Sequence, residues 1–328
     1  MMEKGPPNSS QGQQGWSSAR NGSGSSLDLE SVVQPLALNP WDVVLCISGT
    51  IISCENAVVV LVIFHTPAFR APAFLLIGSL ATADLLAGVG LLLHFAFVYL
   101  VPSEAASLLT VGLLVTSFTA SVSSLLSITI DRYLSLHNAL TYCSERTVTR
   151  THIMLLLTWG ASICSGLLPV VGWNCLEEPS ACSAVRPLTR SHLAVLSAAL
   201  LAALAAMLQL YVQICRVACR HAQQIAVQRH FVASSQDVAT RKGVATLAVI
   251  LGTLASCWLP FALYGLLGDR SSPALYTYAT LLPATYNSVL NPVIYAFRNQ
   301  EIQKVLWAVC CGCCSSSPPF CSRSPSDV

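Results

Sequence analysis

Seven stretches of this chain are long and apolar enough to cross a lipid bilayer: 43–64, 72–99, 108–130, 153–173, 193–215, 244–267 and 273–297. A hydrocarbon core of about 30 Å needs about 20 residues at about 1.5 Å rise each. No water inside lipid satisfies a backbone N–H or C=O, so spans of this kind must be helices. Composition agrees, with 54% hydrophobic and only 10% charged residues, against about 25% charged in soluble domains. The expected fold is an all-α membrane protein: a seven-transmembrane helix bundle over residues 41–298, followed by a short amphipathic eighth helix, 299–309, on the membrane surface.

Orientation follows from the cations. Twelve of the seventeen lysines and arginines fall on the odd-numbered connections and the C-terminal tail, among them Arg132, Arg146, Arg150, Arg216, Arg220, Arg241 and Lys242. The positive-inside rule places that side in the cytosol and the N-terminus outside, as in a multi-pass plasma-membrane protein with endosomal traffic. The asymmetry concerns topology, and nothing in it calls for a nucleic-acid partner. Residues 1–40 are rich in Ser, Gly, Gln and Pro without an apolar core, so they read as a disordered extracellular tail and not as a cleaved signal peptide. Asn8-Ser9-Ser10 and Asn21-Gly22-Ser23 both fit the glycosylation sequon, which has meaning only outside.

The fourteen cysteines divide by compartment. Cys46, Cys54, Cys164, Cys215 and Cys257 lie in apolar spans and read as small packing residues. Cys175 and Cys182 share the short outer loop between the fourth and fifth spans, where a disulfide is expected. Cys310, Cys311, Cys313 and Cys314 follow the amphipathic segment. Their spacing and the lack of a nearby histidine make palmitoylation a better reading than zinc, and the tail 310–328 also offers phosphorylation candidates.

Charge inside or at the edge of the spans is sparse and therefore informative. Asp131-Arg132-Tyr133 closes the third apolar stretch, where the arginine can pair with its neighbouring aspartate or release it and present five donors to a cytosolic partner. Glu55-Asn56, Asp84, Ser121, Ser124, Tyr211, Asn287, Ser288, Asn291 and Tyr295 sit in five spans at spacings that let them face one interior seam. An isolated carboxylate at the depth of Asp84 costs several kcal/mol unless it is protonated, paired or bound to a cation, and a sodium ion held by oxygens would satisfy it. Pro260 and Pro292 each remove a backbone hydrogen bond and kink the sixth and seventh spans beside that seam.

These motifs, in this order on these spans, resemble the rhodopsin-like, class A G-protein-coupled receptors along residues 41–309. The likeness rests on Asn56, Leu80-Ala81-Thr82-Ala83-Asp84, Asp131-Arg132-Tyr133, Trp159, Cys257-Trp258-Leu259-Pro260 and Asn291–Tyr295. The resemblance implies that Arg132 contacts the G protein, that Trp258 is the pocket floor, and that Tyr211 and Tyr295 swing inward in the open state. It also implies a sodium pocket of Asp84, Ser121, Asn287, Ser288 and Asn291, with no other cofactor. The usual cysteine at the top of the third helix is missing, with Ser107 near its place, and Ala203 stands where the fifth helix usually has proline. Those departures are similar to the lysophospholipid, cannabinoid and melanocortin branch. Asn39-Pro40-Trp41-Asp42, the segment 277–283 and the ending 323–328 resemble its orphan group of constitutively active, Gs-coupled receptors. The function so implied is agonist-independent activation of adenylyl cyclase through Gs, modulated by a lipid-like ligand. The alternative is a lysophospholipid or sphingolipid receptor that needs agonist and couples to Gi.

Ligand chemistry is narrowed by elimination. A retinal pigment needs a lysine in the last helix, and the only lysines are Lys4, Lys242 and Lys304. An amine receptor needs an acid in the third helix, where Leu114 stands. The Arg-Glu pair of sphingosine-phosphate receptors corresponds to Thr110 and Val111. What remains, around His94, Phe95, Thr110, Leu114, Phe118, Trp258, Phe261 and Leu281, is an apolar pocket suited to an acyl chain. His94 has two readings, a hydrogen-bonded structural histidine or a headgroup contact. No internal repeat argues for a transporter, no ring of charges for a channel, and no nucleophile–base pair or metal-ligand set for an enzyme.

Three partner expectations complete the reading. Leu140, eight residues after Arg132, is an apolar knob for the G protein on the loop 137–144. Counting eighteen back from Trp258 reaches Thr240, followed by Arg241 and Lys242, so the acid that often restrains Arg132 is missing. Ser326-Asp327-Val328 has the pattern of a PDZ ligand, and arrestin and receptor kinases are implied by the resemblance.

Overall fold

The computed structural model describes residues 38–66, 69, 71–137, 145–228, 235–268 and 273–298, with backbone alone at 145–146, 221–228, 235–243 and 295–298. The N-terminal sequons, Leu140, the amphipathic segment, the four clustered tail cysteines and the C-terminal triplet lie outside the described residues, as do the side chains of Thr240 and Tyr295. Seven long helices occupy the described residues from Leu38 onward: α1 (Pro40–His65), α2 (Pro72–Tyr99), α3 (Glu104–His137), α4 (Glu145–Leu167), α5 (Arg190–Gln228), α6 (Ser235–Leu267) and α7 (Ala274–Arg298).

Local sequence starts two of them. Asn39 caps α1, its side chain accepting from the Trp41 amide at 3.1 Å, while Pro40 and Pro72 open α1 and α2 at positions whose N–H would have no helical partner. Packing then closes a ring: α1 on α2 and α7, α2 on α3 and α4, α3 on α4 and α5, α5 on α6, and α6 on α7. Two crossings depend on glycine. A Cβ at Gly88 would lie 2.7 Å from the Gly49 carbonyl oxygen, and one at Gly166 would collide with that of Gly112. Backbones meet there, as small residues allow between helices in lipid. The core they enclose holds Leu76, Leu80, Leu125, Met207 and Leu254, while Leu61, Phe64, Leu156 and Leu157 face outward.

The seven-helix bundle expected from the sequence is present, with three differences. The fourth span ends as helix at Leu167, and residues 168–172 turn instead of continuing to 173. In the other direction α3 runs on to His137, so Asp131-Arg132-Tyr133 sits within a helix rather than at its end. Five helices carry a stretch apolar enough to cross a membrane on composition alone, and α4 and α7 do not. The reason is that α4 opens on Glu145, Arg146 and Arg150, and α7 carries Thr277, Thr280, Thr285, Asn287, Ser288 and Asn291.

Candidate functional site

Midway along the bundle, Asp84 is fully buried and its carboxylate is the meeting point of three helices. Ser121 of α3 and Ser288 of α7 donate to its Oδ1 at 2.7 and 2.8 Å, and Asn291 Nδ2 donates to Oδ2 at 2.8 Å. Asn56 ties in α1, its Nδ2 donating to the carbonyls of Ile52 at 2.9 Å and Ser288 at 3.1 Å. Three neutral donors spread the charge of Asp84 without cancelling it. The oxygen of Asn56 and the amide nitrogen of Asn287 are buried without a hydrogen-bond partner among the described residues. Carboxylate and hydroxyl oxygens are the donors a hard cation takes, so these residues fit the expected sodium ion: Asp84, Ser121 and Ser288 would hold it.

Other members of the supposed seam go elsewhere. Ser124 and Ser79 share a hydrogen bond at 3.1 Å, and Trp159 Nε1 donates to Ser79 at 3.0 Å, which knits α2, α3 and α4 together. Tyr211 is half-buried on α5 and makes no hydrogen bond to the seam among the described residues.

Above Asp84 lies a cavity of about 600 Å³. Trp258 forms its floor, with Phe118 edge-on at 5.2 Å between ring centroids and Phe261 at 6.1 Å. Leu114, Leu281 and His94 line it as expected, but two residues do not. Phe95 points away and packs on Tyr99 at 4.8 Å, and Thr110 is buried with its hydroxyl bonded to the Ala106 carbonyl. Both errors are of helical phase. His94 lines the cavity and makes no hydrogen bond among the described residues.

Two parts of the cavity wall were missed by sequence reasoning. One is the outer loop, stapled by the expected Cys175–Cys182 disulfide and held by bridges pairing Asn174 with Leu188 and Cys182 with Thr189. It delivers Val185, Arg186 and Leu188 to the wall, and Leu188 packs with Val111 and Val115 where a charge-binding pair was looked for. The other is the start of α1. The Asp42 carboxylate accepts from Tyr99 at 2.7 Å and Tyr278 at 2.8 Å, Asn39 Nδ2 donates to Tyr278 at 2.9 Å, and Trp41 stacks on Tyr278. The signal was present in the unusual Asn39-Pro40-Trp41-Asp42, just ahead of the apolar count.

At the opposite end, Asp131 is 1% exposed and Arg150 Nη2 of α4 approaches its Oδ1 at 3.3 Å. Arg132 next to it is exposed, and no ion pair among the described residues engages it. Of the two arrangements open to the triad, the described residues show Asp131 engaged by Arg150. The bundle thus has an apolar outer cavity, a buried carboxylate at its centre and an exposed arginine at the other end.

Residues 55–295 match the family model for the seven-transmembrane receptors of the rhodopsin family. The chain is 65% identical over 293 residues to G-protein coupled receptor 12 of Homo sapiens, covering 89% of this chain and 88% of the relative. It is 65% identical to human G-protein coupled receptor 3 over 88% of this chain and 87% of the relative, and 64% identical to human G-protein coupled receptor 6 over 89% and 81%. With cavity, buried carboxylate and arginine in the places that family expects, the chain belongs to the rhodopsin family of seven-transmembrane receptors, the class A G-protein-coupled receptors.

Proposed function

We propose that this receptor signals without agonist, coupling to Gs to raise cyclic AMP, and that a lipid-like ligand in the outer cavity modulates it. The observation that carries the reading is the exposed Arg132, engaged by no ion pair among the described residues, beside an Asp131 held by Arg150. A receptor whose arginine is already released has less to gain from agonist, and Thr240 offers no charge to hold it back. The apolar cavity wall supports an acyl chain over a hydrophilic ligand. In this reading the N-terminus faces outward at the plasma membrane, Leu140 enters the G protein, and arrestin, receptor kinases and a PDZ protein at Ser326-Asp327-Val328 act on the cytosolic side. Cyclic AMP in cells expressing the receptor at graded surface density tests it. A rise proportional to density without ligand is expected, and a flat response, or a fall consistent with Gi, would overturn it.

A further inference from the structure

The charge in the cavity wall bears on which lipid head the receptor takes, a question that rests on the lipid reading above. Asp42 brings a carboxylate into the wall from α1, a helix that an inspection of α3 for acidic residues never reaches. Its two oxygens are fixed by the Tyr99 and Tyr278 hydroxyls, one each. Both donors are neutral, so the negative charge remains, and each oxygen keeps a further lone pair. His94 lines the same cavity as Asp42 and makes no hydrogen bond among the described residues. Thr277 also lines the cavity, with its hydroxyl hydrogen-bonded to Tyr264 at 3.0 Å. The opposing charge, Arg186, comes from the outer loop and is exposed, where water screens it.

We propose that Asp42, His94 and Tyr278 form a headgroup subsite that takes a hydrogen-bond-donating head, an ammonium or a neutral amide, on a single-chain lipid, and rejects phosphate and carboxylate heads. The acyl chain then runs down the apolar wall past Leu114 and Phe118 toward Trp258. The carboxylate supplies an acceptor for an N–H, and the imidazole one acceptor and one donor. An anionic head would bring like charge against a carboxylate that its tyrosines hold in place.

Four lipids with one chain and different heads separate these cases: oleylamine, oleamide, oleic acid and oleyl phosphate, titrated against the purified full-length receptor with thermal melting as readout. Oleylamine and oleamide are expected to stabilise at lower concentration than the two anions. For oleylamine the advantage is about tenfold, the size of one charge-assisted hydrogen bond. Asp42→Asn is expected to cancel the advantage of the amine while sparing that of the amide, and His94→Ala to weaken the amide. An anion-first ranking, or an amine preference untouched by Asp42→Asn, overturns the subsite. Stabilisation by none of the four overturns the lipid reading itself and the subsite with it. If Asp42→Asn does not fold, the ranking on the unaltered chain still decides.

Discussion

Arg150 of α4 reaches across to Asp131 of α3, Nη2 to Oδ1 at 3.3 Å, and so occupies the carboxylate that stands next to Arg132 in the chain. Asp131 is 1% exposed and cannot stay unpaired cheaply, whereas Arg150 is partly open to water. The pair is therefore worth about 1 kcal/mol after screening, small for stability but about fivefold in a two-state population. Arg150→Ala is expected to turn Asp131 toward Arg132 and lower agonist-free cyclic AMP by that factor at matched surface density. Arg150→Lys should retain most of the signal.

Restoring an acid at the base of α6 should act in the same direction. Thr240→Glu gives Arg132 an opposing charge, worth about 1–3 kcal/mol, and basal cyclic AMP should fall several-fold. Adding Arg132→Ala should abolish signalling rather than rescue it, since the restraint and the contact share one guanidinium. Basal signal unchanged in Thr240→Glu would mean that the inner restraint is irrelevant.

Sodium provides a separate handle. The Asp84 carboxylate and the Ser121 and Ser288 hydroxyls on it are ligands a sodium ion would take, so melting of the purified receptor should rise when sodium chloride replaces choline chloride. Asp84→Asn should remove that dependence. Asp84→Ala, which strands the donors of Ser121, Ser288 and Asn291, should also cost a few kcal/mol of stability.

The glycine crossing of α3 and α4 should tolerate no side chain. A Cβ at Gly166 collides with the Gly112 carbonyl and with the Thr116 hydroxyl. Gly166→Val is therefore expected to lower folded yield severely, by several kcal/mol of overpacking, while Gly160→Val, with open space around it, should be neutral. Size-exclusion yield in detergent compares them.

What the sequence made legible was whatever depends on run length and one-dimensional order. The spans, the Asp84 cluster with Ser121, Ser288 and Asn291, and the loop disulfide all follow from those. Helical phase was less secure: Phe95 and Thr110 were placed in the cavity, yet each lies on the wrong face, one against Tyr99 and the other against its own helix. Asp42 and Arg150 were out of reach for another reason. Their roles come from partners 57 and 236 residues away for Asp42, and 19 for Arg150, and only assembled helices show those pairings. Leu188 escaped because its place on the cavity wall depends on the loop's bridges and not on any periodicity.

Nucleotide exchange on purified Gs heterotrimer, driven by purified receptor with no ligand added, tests agonist-free coupling most directly. Exchange well above that of Gs alone, lost in Arg132→Ala at equal folded receptor, is the expected result. Exchange equal to Gs alone with a folded receptor would contradict it.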